Sequence, residues 1–373
     1  MIKVEVVKTS KQKKQFLEFA NELYKGNKYF IPPLYINEKK IFDKSYYYYD
    51  ECDAEYFLAY DDNGKVVGRI SAFIQHSSNK KTGEKRARFG RFDAIDSQEV
   101  ANALFDTAVK WSKERGMEKI CGPLGFSDLE REGLLIEGFD VIQTFEEQYN
   151  YDYYQKLVEN YGFRKEVDWL EYQIRNNPDY REKIQKIASY VAQKNKVRLA
   201  DPQDIRKLIK LYAEQVFDLI DISYRHLYGT VDLSERTRKE LIRQFNFLFV
   251  TRSINCILDE NDNIVAFSVA FPNIGEAMQI SGGHLTLRAL LKLKEILKHP
   301  KVIDMGLIAV HPDYRNKGLN AIYMKLISDW LAAGKSEHFE TNLDLETNVQ
   351  VQALWKYFDV RKVKRRRCFV MDI

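Results

Sequence analysis

Cysteine is scarce in this chain. Four thiols in 373 residues (Cys52, Cys121, Cys256 and Cys368) lie far apart with no CxxC pair, which argues against a disulfide framework or a zinc site. The six histidines show neither HxxxH nor HxH spacing, and no GxSxG or Walker-type loop occurs. Long apolar runs are missing as well. The best, Ile264 to Phe271, is interrupted by Ser268, whereas a membrane-spanning helix needs about 20 apolar residues. The opening MIKVEVVKTSKQKK lacks the apolar core of a signal peptide. Glycine (18) and proline (8) are too few for a collagenous or linker-dominated chain. Neither sign of charge dominates: 58 Lys/Arg against 54 Asp/Glu give a formal +4, not the footprint of a dedicated nucleic-acid binder. What is there is 45% hydrophobic residues and a length that suits two domains. The expectation is a soluble, cytoplasmic protein with no metal and no nucleic-acid partner.

The chain runs one course twice. In the first half a strand (4–7) and a helix (about Lys11 to Tyr24) precede YFIPPL, extended because two successive prolines forbid helix. FLAYDDNGKVVGRISAF (57–73) reads as a hairpin turning on Asn63-Gly64. A strand over 86–95 follows, then a helix capped by Asp96 and Glu99 with apolar residues at helical spacing from Ala101 to Trp111. A helix from Tyr153 to Asn160, Gly162-Phe163 and a strand near 169–174 close the half. In the second half a helix over 180–193 leads to a strand (197–200), helices at about 203–219 and 235–247, and a hairpin NCILDENDNIVAFSVAF (255–271). A constant offset of 198 pairs Asp61 with Asp259, Asn63 with Asn261 and Phe73 with Phe271. The shared order of elements points to a duplication, with the boundary placed at 177/178.

The richest stretch is VIDMGLIAVHPDYRNKGLNAIYMKLISDWLAAG (302–334). Val302 to Val310 is a strand by its β-branched content. His311 to Lys317 is a polar turn, and Leu319, Ile322, Tyr323, Leu326, Ile327, Trp330 and Leu331 describe a helix buried on one face, stopped by Gly334. A strand, a loop ending in Arg315, Lys317 and Gly318, and a helix start aim unpaired backbone N–H groups at one point, an anion site fit for a pyrophosphate. An ordinary strand-to-helix turn with a solvated basic tip would read the same way.

VHPDYRNKG resembles the acyl-CoA-binding motif V-x-P-x-x-[RQ]-x-x-G-x-[GA] of the GNAT N-acetyltransferases. Val310, Pro312, Arg315 and Gly318 fit, while Asn320 stands at the final small position with Ala321 one later. The whole chain is similar to a bacterial tandem-GNAT group, by IPPL (31–34), VGRISAF (67–73), FGRFDAID (89–96), CGPLGFS (121–127) and EGFD (137–140). The resemblance implies two tandem GNAT-like α/β domains, 1–177 and 178–373. Each would hold a mixed, mostly antiparallel twisted sheet flanked by helices. It implies that the backbone of Ile308, Ala309 and Val310 pairs with a pantetheine arm. N–H groups of Arg315, Asn316, Lys317, Gly318, Leu319 and Asn320 would hold the CoA pyrophosphate, and Asn348 would lie near the thioester. The first half, with acidic FDAIDSQEV in place of the loop, would be a degenerate copy shaping the acceptor pocket.

The activity implied is N-acyl transfer, most simply acetyl, from acetyl-CoA or another acyl-CoA to a primary amine. A Lys-like amine with a pKa near 10.4 costs ~4 kcal/mol to deprotonate at neutral pH without a base or a desolvating pocket. Asp304 is the first candidate base, with Glu346 and Asp344 behind it. The family's acid, a Tyr before a final Gly-Phe, is replaced by Trp355 in the second half and Val158 in the first. The acceptor would be a small-molecule or lipid amine. A long-chain donor acylating an amino-lipid and a non-catalytic acyl-CoA sensor or scaffold are the alternatives. The tyrosines at 46–49 and 149–154 read as packing between the halves or an aromatic acceptor pocket. The basic run Arg361, Lys362, Lys364, Arg365, Arg366 and Arg367 reads as a solvated edge, with an anionic membrane or the CoA 3′-phosphate as the sharper alternative.

Overall fold

The computed structural model describes residues 1–201, 205–248 and 254–373. The start of the helix expected at 203 lies outside these. The strands, in chain order, are β1 (Lys3–Val6), β2 (Cys52–Tyr60), β3 (Val66–Gln75), β4 (Arg86–Ala94), β5 (Lys119–Gly122), β6 (Leu134–Glu137), β7 (Arg164–Arg175), β8 (Arg198–Leu199), β9 (Ile254–Leu258), β10 (Ile264–Pro272), β11 (Val302–Val310), β12 (His338–Glu340), β13 (Asp344–Leu345) and β14 (Asp359–Asp372).

The compact units are not contiguous halves. Unit 1 comprises Met1–Leu170 with Gly275–Leu291 and Lys364–Ile373; unit 2 comprises Glu171–Ile274 and Lys292–Val363. The strands β7 and β14 therefore each contribute to both units, which a single boundary at 177/178 could not express.

In unit 1 the sheet order is β1-β2-β3-β4-β5-β14, antiparallel except for the parallel β4–β5 pair. The Ser10–Leu23 helix begins at a capping box of Thr9 and Gln12. The Gln98–Lys113 helix is capped by Ser97, one residue later than the expected Asp96, because the Ser97 hydroxyl is the one that accepts from Val100 N–H. Its Val100, Ala101, Leu104, Phe105 and Ala108 are buried in a core shared with Phe89 and Phe92. The tyrosines join the same unit's cores. Tyr24 packs on Phe30, Tyr149 and Tyr151, while Tyr48 stacks on Phe126 at 5.1 Å. They are interior packing of unit 1.

The later part of the basic C-terminal run is interior too. It forms β14, flanked by other strands, and Lys364 and Arg366 are fully buried. Arg367 Nε (2.8 Å) and Arg365 Nη1 (3.1 Å) both donate to buried Asp168, and Arg366 lies 3.4 Å from Glu147. These guanidiniums hold the Asp168 carboxyl below its ordinary range despite its burial. From Lys364 onward the run is therefore not a solvated edge, and its paired cations are not offered to a membrane or a 3′-phosphate; Arg361 and Lys362 are exposed, as expected.

In unit 2 the order is β7-β12-β11-β10-β9-β8, with β11 and β12 parallel and the other pairs on this path antiparallel. The two hairpins share one turn device. Asp61 Oδ1 accepts from Asn63 N–H (3.0 Å) and Lys65 N–H (2.8 Å), and Asp259 Oδ1 accepts from Asn261 and Asn263 N–H (both 2.9 Å). The same local geometry recurs at the 198-residue offset.

Candidate active site

β11 is the organising strand of unit 2. On one flank it pairs with β10 along most of its length, interrupted by a bulge between Ser268 and Ala270. On the other flank it pairs with β12 only at Val302, Ile303 and Asp304. From Met305 to Val310 that edge parts from β12. The bulge is a place where a side chain would crowd, since a Cβ on Gly306 would meet Phe271 Cε1 at 3.2 Å and Val269 O at 3.3 Å.

The parted edge opens on a cavity of about 950 Å³, at the upper end of the ~300–1,000 Å³ typical of small-molecule sites. Its walls are mainly carbon: Val269, Met305, Ile308, Leu326, Ile327, Trp330 and Phe339 among others. Tyr323 also lines it, buried, with a hydroxyl that has no hydrogen-bond partner among the described residues. Ile308 is the one member of the expected pantetheine-pairing trio that lines the cavity. Its backbone edge is engaged by Tyr224, whose hydroxyl donates to Ile308 O (2.6 Å) and accepts from Ile308 N–H (3.1 Å). Tyr224 ends the Ile205–Tyr224 helix, and nothing in its sequence context marked it.

The turn after β11 is exposed. Pro312–Tyr314 form one 3-10 turn, and the Asn320–Ala332 helix follows. Asn316 (φ 61°) and Gly318 (φ 82°) both adopt left-handed backbone, so successive N–H groups turn to a common side. Arg315 and Lys317 N–H close local turns onto Pro312 and Tyr314. Those of Asn316, Gly318, Leu319 and Asn320 have no partner among the described residues. Asn195 Nδ2 donates to Lys317 O (3.2 Å) and pins the turn. A Cβ on Gly318 would meet Val191 at 3.2 Å. Asn320 Oδ1 is buried without a partner; turned over, that amide offers Nδ2 as a further donor. These residues fit a diphosphate.

The carboxylates separate cleanly. Asp304 is buried, accepts from Asn273 Nδ2 at 3.0 Å and does not line the cavity. Glu346 does not line it either. Asp344 does. Burial raises its carboxyl to about 7, helped by the Glu171 charge and opposed by Trp355, whose Nε1 donates to Asp344 Oδ2 at 3.2 Å. Trp355, standing where the family has its Tyr, is thus the group that orients this carboxyl. Asn348 is the N-cap of the Val349–Gln352 helix, its Oδ1 accepting from Val351 N–H (3.4 Å), and it does not line the cavity.

The corresponding edge in unit 1 is filled. β4 and β5 pair at Arg86, Ala87 and Arg88, after which Leu124 N–H donates to Phe89 O. Ala94 N–H donates to Tyr154 Oη (3.1 Å), and Ala94 O accepts from Tyr153 (2.8 Å).

A strand parting from its parallel neighbour beside an N–H-rich turn and an apolar cavity is the frame of an N-acyltransferase domain. Residues 213–359 match the Acetyltransferase (GNAT) family. Protein YghO of Escherichia coli (strain K12) is 27% identical over 367 residues, 96% of this chain and 93% of that protein. A bacterial ceramide synthase of Caulobacter vibrioides (strain NA1000 / CB15N) is 28% identical over 287 residues, 75% of this chain and 72% of that protein. Among solved structures, a tandem GNAT protein from the clavulanic acid biosynthesis pathway superposes with a TM-score of 0.55 at 12% identity, covering all of this chain and 98% of that one. A GCN5-related glucosamine N-acetyltransferase region in a fungal multi-domain GH3 β-N-acetylglucosaminidase gives 0.59 at 12% identity, over all of this chain and 38% of that longer one. The two structures show the fold. Residues 213–359 thus match the GNAT family, the chain as a whole shares the fold of a tandem GNAT protein, and the activity these likenesses support is N-acyl transfer.

Proposed function

We propose that unit 2 takes an acyl-CoA and transfers its acyl group to a primary amine by direct attack on the thioester. The observation that carries this is the parted edge of β11, whose Met305–Ile308 stretch lines one cavity with Asp344 and whose end runs on into the N–H turn. The diphosphate would rest on the N–H groups of Asn316, Gly318, Leu319 and Asn320, with Arg315 and Lys317 adding charge. The pantetheine arm would run along Met305–Val310, taking the Ile308 groups that Tyr224 now holds. Asp344 accepts the proton of the incoming ammonium. The amine nitrogen bonds to the carbonyl carbon, the carbon–sulfur bond breaks, and the leaving thiolate takes up the second proton that the nitrogen gives up in becoming an amide. A carboxyl poised near 7 is matched to that work at neutral pH.

Acetyl is the simplest donor group. One observation favours a longer chain: the cavity is far larger than an acetyl methyl requires and is walled by aliphatic and aromatic carbon, where each buried CH₂ contributes ~0.8 kcal/mol. The ceramide synthase relative supports an amino-lipid acceptor in the same sense. The test is thiol release from acetyl-, octanoyl- and palmitoyl-CoA, with small amines and with a sphingoid amine. Amine-dependent release is expected. No thiol release with any donor or amine, with the donor still binding, would make the protein a sensor.

A further inference from the structure

Outside the site, the Leu287–Lys298 helix carries apolar side chains on the wrong side for a core. Ala289 and Ile296 face inward and are buried. On the opposite side Leu287 (74% exposed), Leu290 (42%) and Leu291 (61%) stand in solvent at i, i+3 and i+4, with Leu285 (37%) just before them. Lys294 and Lys298 continue that same face at i+7 and i+11, and both are exposed. From Leu285 to Lys301 the sequence holds Arg288, Lys292, Lys294, Lys298 and Lys301 against the lone acid Glu295. Glu295 pairs with Lys292 at 3.1 Å. Arg288, Lys294, Lys298 and Lys301 form no ion pair among the described residues. An exposed leucine cluster edged by unpaired cations is the pattern of a helix lying in a membrane interface: apolar side chains enter the acyl boundary and the cations meet anionic headgroups. No helix among the described residues is long and apolar enough to cross a membrane, so the contact is peripheral.

We propose that the outward face of the Leu287–Lys298 helix docks on an anionic lipid bilayer. The charge of the free cations selects a bilayer over a second copy of this chain, since copies meeting through this face would bring like charges together. The far end of the same helix supplies Leu297 and Lys298 to the cavity wall.

The experiment is co-sedimentation of the full chain with phosphatidylglycerol/phosphatidylcholine vesicles and with pure phosphatidylcholine vesicles, beside acyl-CoA calorimetry on the same preparations. Binding to the anionic vesicles is expected, weakened by raising salt to 0.5 M. The double variant Leu287→Ser/Leu291→Ser and the variant Arg288→Glu should each lower the bound fraction about fivefold or more, with acyl-CoA affinity kept. Leu211→Ser, at an exposed leucine elsewhere (56%), should bind as the parent does. No binding to anionic vesicles, equal binding by the helix variants, or a self-associated chain that the leucine variant splits into monomers would each overturn the proposal. Loss of acyl-CoA binding in the parent would instead count against the transferase reading alone.

Discussion

Replacing Asp344 with asparagine leaves the hydrogen bond from Trp355 an oxygen to meet and removes a cavity carboxyl that burial pushes up to about 7. The magnitude follows from linkage. An Asp ordinarily titrates at 3.8, and this one is pushed up to about 7. Below the ordinary value both the folded and the unfolded chain carry the proton, and no stability is lost. Between the two values only the unfolded carboxyl ionises, so stability falls as pH rises; above about 7 the loss is complete. At ~1.36 kcal/mol per pH interval the full loss is at most ~4 kcal/mol, and less because one side of Asp344 faces the open cavity. Asp344→Asn should therefore raise the urea midpoint at pH 8 and raise it by clearly less at pH 5. Its effect on catalysis is opposite in sign. The parent's kcat/KM should climb with pH and level off near 7, and the variant should lose ~10²–10⁴ in rate together with that limb. A variant within threefold of the parent, a limb that survives it, or equal stability shifts at both pH values would refute the assignment.

Three further perturbations are decided by the same geometry. Tyr224→Phe frees the Ile308 edge, and each of two hydrogen bonds is worth ~0.5–1.5 kcal/mol net, so CoA should bind several-fold tighter in calorimetry; weaker binding would make Tyr224 a donor contact. Gly318→Ala places a Cβ 3.2 Å from Val191 at φ 82°, and should cost on the order of 1 kcal/mol in stability and weaken CoA binding, read by thermal unfolding and calorimetry. Ile327→Trp narrows the cavity. It should lower the ratio of palmitoyl-CoA to acetyl-CoA turnover at least about tenfold if the chain lies there, and an unchanged ratio would place the chain elsewhere.

Much of the fold was legible because its signals are local. The strand 302–310 matches the expected residues, Asp61 and Asp259 cap equivalent hairpins, and the apolar spacing from Leu319 to Leu331 is the buried face of the Asn320–Ala332 helix. What was not legible depends on pairing across long sequence distance. The exchange of β7 and β14 between units has no local signal, so a run of cations read as a solvated edge, whereas Asp168, some 197 residues away, holds two of them. At the site, the motif placed the turn and the strand edge, but not the carboxylate. Asp304 alternates with its neighbours on β11, and whether such a residue faces the cavity or Asn273 depends on the bulge and on what packs behind it. Asp344 and Trp355, eleven residues apart, become a pair only through the fold. Tyr224 ends a helix whose direction the sequence does not specify.

The most direct measurement is calorimetric titration of the full chain with CoA, repeated on Arg315→Ala and Gly318→Asp. The N–H groups after Pro312 require binding well below millimolar in the parent and a marked loss in each variant. No detectable binding, or affinity that neither substitution changes, would contradict the placement of the diphosphate on that turn.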